Sequence, residues 1–174
     1  MAFISISITK NHPLILGKGG FGRQLADWLS AEGWGEAEFL DDSAPGCVGG
    51  LRDYADPKLL KPGRPAFVAL GDNALRVELL QKLAAAGYNT PVFISDMAAV
   101  SPSAVLEPGC VILPQAYVGA DAHLGVGCII NGGAIVDHDA VLGRGVHVAP
   151  GGIVKAGAEV EALTKVDSGE IIKK

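Results

Sequence analysis

The sequence predicts an N-terminal α/β domain of Rossmann-like type followed by a hexapeptide-repeat parallel β-helix. Two observations support this fold class. From Val100 onward an aliphatic residue recurs at every sixth position, whereas the first part of the chain alternates short apolar segments with amphipathic ones. A period of six fits neither an α-helix nor an ordinary strand. We therefore divide the 174-residue chain into domains 1–97 and 98–174.

The six-residue period runs in two registers. The aliphatic positions are Val100, Leu106, Ile112, Val118, Leu124, Ile130, Val136, Leu142, Val148, Val154 and Val160. The fourth residue after each is small at nearly every step, as at Ala104, Cys110, Ala116, Ala122 and Cys128. A short strand and a tight turn, repeated so that equivalent residues stack, produce this pattern. Cys110 and Cys128, 18 residues apart, are expected to stack as reduced core side chains.

The front half of the chain has a different periodicity. Predicted strands cover 13–16, 37–40, 66–70 and 91–94, and the long predicted helices cover 23–31 and 74–86. Strands that alternate with helices favour a small parallel sheet with helices on its faces.

A glycine-rich turn, G-K-G-G-F-G at 17–22, follows the first predicted strand and opens the first helix. Free backbone N–H groups and the positive helix end make such a turn a phosphate site. Asp41 and Asp42 end the next strand, where a carboxylate commonly binds a ribose hydroxyl. About 95 residues are too few for a full dinucleotide fold, which favours a nucleotide-sugar. The alternative is a turn that only packs, with the two acids as a solvated strand end.

Composition excludes several classes of function. The formal charge is −5 and the pI about 5.3, with no basic run, so electrostatics gives no support to a nucleic-acid partner. No apolar run approaches the roughly 18 residues of a membrane span. The first ten residues lack the layout of a signal peptide, so we expect a cytoplasmic protein. The three cysteines match neither a disulfide framework nor a metal site.

Few polar residues interrupt the repeat, and these are candidates for chemistry. His138 falls at a predicted corner, where its side chain should be accessible, and Asp137 and Asp139 flank it. A neutral imidazole beside a carboxylate can act as a general base near neutral pH. Asn131 and His147 are further polar exceptions, and His123 has a weaker case. Taken alone, an exposed histidine is more often inert than catalytic.

The order of these parts resembles the NeuD/PglD family of sugar acetyltransferases. The matching segments are GKGGFGRQLADWL, FLDD, VALGDNALR, SPSAVLEPGCVI and IINGGAIVDHDAVLGRGVHVAPG, which together extend over roughly 14–152. The resemblance implies a left-handed β-helix and a homotrimer with active sites between subunits. It also implies transfer of acetyl from acetyl-CoA, as co-substrate, to the amine of a UDP-4-amino-sugar for a surface glycan, without a metal. Related members acetylate a sialic acid oxygen.

The resemblance also assigns residues. It implies that His138 is the general base and Asp139 its partner, and that the coenzyme lies near three residues, Asn131, Gly143 and His147. The residues expected to bind the nucleotide-sugar are Gly17, Gly19, Gly20, Phe21, Asp41, Asp42 and Gly71.

The chain departs from the family pattern at two places. Gly20–Phe21 stands where the family has a small residue and a histidine. Residues 155–160 lead quickly to 162–172, which are interpreted as a terminal strand after a loss of coils that help to hold coenzyme A. That interpretation keeps open a non-catalytic nucleotide-sugar-binding protein, and sugar O-acetylation stays open as a second alternative.

Overall fold

A computed structural model of the chain describes residues 12–59, 61 and 63–174. The amino-terminal pattern used against a signal peptide lies outside these residues. In the described part of the chain, no helix is both long enough and apolar enough to cross a membrane. The α/β domain and the β-helix are both present, as the sequence predicts.

The α/β domain is built on a three-stranded parallel sheet of order β2-β1-β3. Its elements are β1 (Leu14–Leu16), α1 (Gly20–Ala31), β2 (Glu38–Leu40), a 3₁₀ turn (Asp53–Ala55), β3 (Ala66–Val68) and α2 (Asn73–Ala85). β1 is buried at all three residues because it is the central strand with helices over both faces, and it is accordingly apolar throughout. α2 begins after Asp72, whose side chain accepts a hydrogen bond from Leu75 N at 2.9 Å.

The β-helix has three flat faces made of two-residue parallel strands. Face 1 contains β4 (Phe93–Ile94), β7 (Val111–Ile112), β10 (Ile129–Ile130), β13 (His147–Val148) and β16 (Lys165–Val166). Face 2 contains β5 (Ala99–Val100), β8 (Tyr117–Val118), β11 (Ile135–Val136), β14 (Ile153–Val154) and β17 (Ile171–Ile172). Face 3 contains β6 (Val105–Leu106), β9 (His123–Leu124), β12 (Val141–Leu142) and β15 (Glu159–Val160).

Each coil stacks on the next, so that a residue pairs with the one 18 positions later. Ile129 pairs with Val111 on one side and with His147 on the other. The aliphatic register and the small register both point inward and form one core, in which Cys110 and Cys128 are buried and not bonded to each other. Their Sγ atoms lie 3.2 Å from the carbonyl oxygens of Gly125 and Gly143.

Two sequence predictions are wrong in their details. The predicted fourth strand of the α/β sheet pairs instead with β7, so Phe93–Ile94 is the first rung of face 1. The segment 162–172 is not one terminal strand but contains two further rungs of the β-helix. Its strands β16 and β17 pair in register with β13 and β14, so the period of six continues to Ile172. The domain boundary at residues 97 and 98 stays a prediction.

α2 docks on one corner of the β-helix through a column of glycines. Gly109, Gly127 and Gly145 stack there with φ between 67° and 74°, and a Cβ at any of them would lie within 2.7 Å of the Leu80 or Val77 side chains. Arg76, 1% exposed, donates from Nε to Gly127 O at 2.9 Å and from Nη2 to Gly145 O at 2.7 Å. Burial lowers the pKa of Arg76 to about 10, so it remains charged at neutral pH.

The corner geometry predicts unequal effects of alanine at two glycines. Gly151 has φ 68° with open space around it, whereas Gly127 has φ 69° and faces Leu80. Gly151→Ala should cost about 1 kcal/mol from backbone strain alone. Gly127→Ala should cost roughly 1–3 kcal/mol more, because the methyl group is forced against a buried helix. Urea denaturation gives the free energy of unfolding of both variants. Equal decreases in this free energy would contradict the docking of α2 on the glycine column.

Candidate active site

His138 stands at the corner between β11 on face 2 and β12 on face 3. Its side chain is 58% exposed, as the sequence predicts. Nδ1 lies 2.7 Å from Oδ2 of Asp139, and the His138 backbone N–H donates to Oδ1 of Asp137 at 2.7 Å. Asp139 has φ 58°, the left-handed conformation that turns the corner. Because a carboxylate accepts from Nδ1–H, Nε2 is the nitrogen left free to take a proton.

The two aspartates make His138 more basic. The hydrogen bond that His138 donates to Asp139 is the main reason that the pKa of His138 is raised, and the charge of Asp137 adds to the effect. A carboxylate that holds Nδ1–H both fixes the tautomer and stabilises the imidazolium that forms after proton transfer. The dyad therefore has the chemistry of an oriented general base.

Asn131 and His147 lie together on face 1. The Gly132 backbone N–H donates to Asn131 Oδ1 at 2.8 Å, and Asn131 Nδ2 lies 3.4 Å from His147 Nε2. Burial is the main cause that lowers the pKa of His147 to about 4, and the positive charges of Arg76 and Lys165 lower it further. His147 is therefore neutral at physiological pH, in contrast to the more basic His138.

The histidines are separated within one chain. His138 follows face 2, whereas His147 belongs to face 1, so the coil does not bring the two side chains onto one surface. His123 lies on face 3, where its Nε2 is 3.0 Å from Glu107 Oε1. It is thus a second exposed histidine–carboxylate pair, away from the His138 corner.

The glycine turn presents an uncapped helix end. Gly17 needs its φ of 100°, and a Cβ at Gly22 would lie 1.9 Å from Gly17 O, so both glycines are required for packing. Gly19 and Gly20 have open space around them, and α1 begins after Gly19 without a side-chain cap. Among the described residues no side chain caps the first N–H groups of α1, and uncapped N–H groups at a helix start are a common phosphate-binding arrangement.

The acids after β2 differ in what they bind. Asp41 Oδ2 accepts from Lys18 N at 2.8 Å, and its Oδ1 accepts from the backbone of Ser43 and Ala44. These backbone donors lower the pKa of Asp41 to about 2. Asp41 therefore ties the glycine turn to the loop after β2, a structural role that sequence reasoning did not assign. Asp42 lines a cavity of about 270 Å³ and accepts from Leu51 N at 2.8 Å through Oδ1 only.

Comparison with known proteins shows the family to which this chain belongs. Residues 14–83 match the PglD N-terminal domain family. The fold superimposes on the acetyltransferase domain of PglB from Neisseria gonorrhoeae FA1090 with a TM-score of 0.77 and 32% identity, covering 94% of this chain and 88% of that one. The chain belongs to the NeuD/PglD family of hexapeptide-repeat sugar acetyltransferases. The same PglB domain has also been solved with acetyl coenzyme A.

A second structural relative is the GDP-perosamine N-acetyltransferase of Caulobacter crescentus. It matches with a TM-score of 0.80 and 27% identity, covering 94% of this chain and 89% of that one. It was solved as a histidine-to-alanine variant in complex with CoA and GDP-perosamine. The predicted enzyme class, an acetyl-CoA-dependent sugar N-acetyltransferase, is confirmed by these matches.

The remaining residues assigned from the NeuD/PglD resemblance occupy distinct places. Gly71 has open space around it at the end of β3 and stays a candidate for substrate contact. A Cβ at Gly143 would lie 2.6 Å from Ala162 N, so its smallness serves coil packing. Phe21 lies in the first turn of α1 with its ring centroid 6.5 Å from that of His147. Arg76 was missed by sequence reasoning, because helical position alone does not reveal a buried guanidinium.

Proposed function

We propose that the protein transfers acetyl from acetyl-CoA to the amine of a nucleoside-diphosphate-linked amino sugar, with His138 as general base. The observation that carries this proposal is the His138–Asp139 dyad at an exposed corner. The open turn at Gly19 and Gly20 supports a diphosphate site at the start of α1. Asp42, with free carboxylate capacity beside a cavity, is the better candidate for ribose or base contact than the fully engaged Asp41.

The reaction needs one base and donors to an oxyanion. The sugar amine attacks the thioester carbonyl carbon, and Nε2 of His138 takes the proton that the nitrogen loses. The resulting tetrahedral intermediate collapses with cleavage of the C–S bond. The His138 imidazolium gives the proton it took to the leaving sulfur, so the coenzyme leaves as a thiol and the neutral base is restored. Asp139 stabilises the imidazolium while it exists. Direct transfer of this kind requires positioning and proton transfer rather than a covalent enzyme intermediate.

The nucleotide is proposed to be UDP, with GDP as the second candidate because the Caulobacter crescentus relative is bound to GDP-perosamine. Sugar O-acetylation, in which a hydroxyl group rather than an amine accepts the acetyl group, remains an alternative function. A non-catalytic nucleotide-sugar-binding protein is the other alternative, and the in-register repeat to Ile172, together with the relative solved with acetyl coenzyme A, favours catalysis over it.

The first prediction concerns the base. Wild-type protein should acetylate a UDP- or GDP-linked 4-amino-4,6-dideoxy sugar, and His138→Gln should lower kcat by roughly 10²–10⁴-fold because general-base catalysis is lost. His123→Gln removes the other exposed histidine–carboxylate pair and is the matched control, expected to retain turnover. For all three proteins, kcat is measured from acetyl-CoA consumption, corrected for hydrolysis in the absence of the sugar. Normal turnover in His138→Gln would exclude the proposed base, and preference for hydroxyl acceptors would favour O-acetylation.

The second prediction concerns pH. Because neutral His138 is the active form, kcat/KM should fall as the pH drops through its raised pKa, which lies above the ordinary value of about 6.5. Asp139→Asn removes the main cause of the raised pKa, so the acidic limb should move to lower pH while the plateau rate decreases. The pH dependence of kcat/KM in both proteins tests this. A limb that stays in place would show that Asp139 does not set the pKa of the base.

A homotrimer is also proposed, with active sites between subunits. Face 2 carries an outward apolar column of Tyr117, Ile135, Ile153 and Ile171, of which Tyr117 is 44% and Ile171 46% exposed. Exposed apolar patches of this kind favour association. His138 follows face 2 directly, so a neighbouring subunit on that face would cover the His138 corner.

The third prediction concerns this assembly. Ile135→Asp places a charge in the middle of the apolar column and should convert trimers into 17.8 kDa chains, with loss of turnover. Val48→Asp, at a 46% exposed apolar residue of the α/β domain, is the control and should stay trimeric. Light scattering at micromolar concentration gives the mass. A monomeric wild-type protein would contradict intersubunit sites.

A further inference from the structure

Phe21 connects the glycine turn to the β-helix. It lies at the second residue of α1, and its ring packs against the hydrophobic cluster that contains Leu25 of α1 and Ile129 of face 1. The ring centroid is 6.5 Å from that of His147, with the planes tilted by 32°. A side chain of the α/β domain therefore covers part of a half-buried imidazole on the β-helix.

A chain of hydrogen bonds defines which nitrogen of His147 carries its proton. The Gly132 N–H can only donate, so the Asn131 atom 2.8 Å away from it is the carbonyl oxygen. The other end of the Asn131 side chain is then NH₂, which can only donate to His147 Nε2 at 3.4 Å. Neutral His147 must therefore carry its proton on Nδ1, which has no partner among the described residues.

The charges of Arg76 and Lys165 disfavour the protonated form of His147, and Lys165 itself also pairs with Asp167 at 3.0 Å. Arg76 of α2 donates to Gly145 O, two residues before His147, and Lys165 of β16 pairs with His147 in the adjacent rung. The start of α1, where Phe21 lies, contributes the positive end of a helix. Burial remains the largest cause of the lowered pKa of His147, and Phe21 supplies apolar surface next to the ring.

We propose that Phe21 is a positioning residue for His147: its ring excludes water from the imidazole and, with Asn131, holds the neutral tautomer whose Nδ1–H donates to a substrate oxygen. An imidazolium would place an Nε2–H against the Asn131 NH₂, so protonation would break that hydrogen bond and release the ring. The statement that His147 Nδ1–H donates to a substrate rests on the proposed acetyl transfer. The statement that His147 is the neutral Nδ1–H tautomer in the unliganded protein is independent of that function.

The experiment is ¹⁵N NMR of the histidine side chains in the unliganded full chain, which contains four histidines. His147→Gln assigns the His147 signals. Wild-type His147 should be the Nδ1–H tautomer and titrate near pH 4. In Phe21→Ala its pKa should rise above the wild-type value but stay below about 6.5, the ordinary value of a solvated imidazole, because Arg76 and Lys165 still lower it. Phe21→Leu keeps an apolar side chain and should hold the low value. Thermal unfolding of each variant establishes that it is folded.

In the wild-type protein and Phe21→Ala, two outcomes would overturn the inference. One is an Nε2–H tautomer in the wild-type protein, and the other is an unchanged titration of His147 in Phe21→Ala. Asn131→Ala should give a mixture of tautomers, and retention of pure Nδ1–H would likewise refute the hydrogen-bond chain. If Phe21→Ala does not fold, the tautomer of His147 in the wild-type protein and in Asn131→Ala still tests the inference.

Kinetics provides the functional readout. The ratio of kcat/KM for Phe21→Ala to that for Phe21→Leu should fall between pH 7.5 and pH 5.5, by at most about tenfold, which is the loss of neutral imidazole for a pKa of about 6.5. A constant ratio would show that catalysis does not use the neutral form. Inactivity of the wild-type protein toward every nucleotide-sugar would instead remove the proposed function, while the NMR result would still stand.

Discussion

The stacking of one coil on the next is the constraint on which the rest of this structure depends. Each coil repeats after 18 residues, so the backbone N–H of Asp137 reaches Val154 O and that of Ile129 reaches Val146 O. Side chains on the aliphatic register then lie directly above one another in the core. The corners must turn through left-handed backbone, which glycine or aspartate tolerates best. Residues with chemistry can therefore occur only at corners and on outward positions.

The same stacking creates the surface that receives the α/β domain. Glycines at one corner of three successive coils form a column without side chains, and α2 approaches it closely. Within the described residues no carboxylate is hydrogen-bonded to Arg76, which donates instead to the carbonyl oxygens of Leu70, Gly127 and Gly145. Charge-assisted hydrogen bonds of this kind are stronger than neutral ones. This docking also brings Phe21 of α1 close to His147 of face 1.

The two site histidines differ because their surroundings differ. His138 projects from a corner between two aspartates, which favour the imidazolium. His147 lies half-buried on face 1, and its burial, followed by the charges of Arg76 and Lys165, favours the neutral ring. Environments that push two titratable groups in opposite directions are characteristic of sites that divide acid–base and hydrogen-bonding roles. The outward apolar column of face 2 lies beside His138, the more basic of the two histidines.

The sequence by itself determined the β-helix, the glycine turn and the accessibility of His138. These features follow from local patterns: a period of six, a strand that runs into glycines, and a histidine at a corner position. It did not determine the partner of Phe93–Ile94, because a short apolar strand carries no mark of the sheet that it joins. The hydrogen-bond partners of Asp41 and Arg76 were determined by the tertiary structure alone. Asp41 binds a backbone N–H 23 residues away, and Arg76 binds carbonyls 51 and 69 residues away, distances over which no sequence period extends.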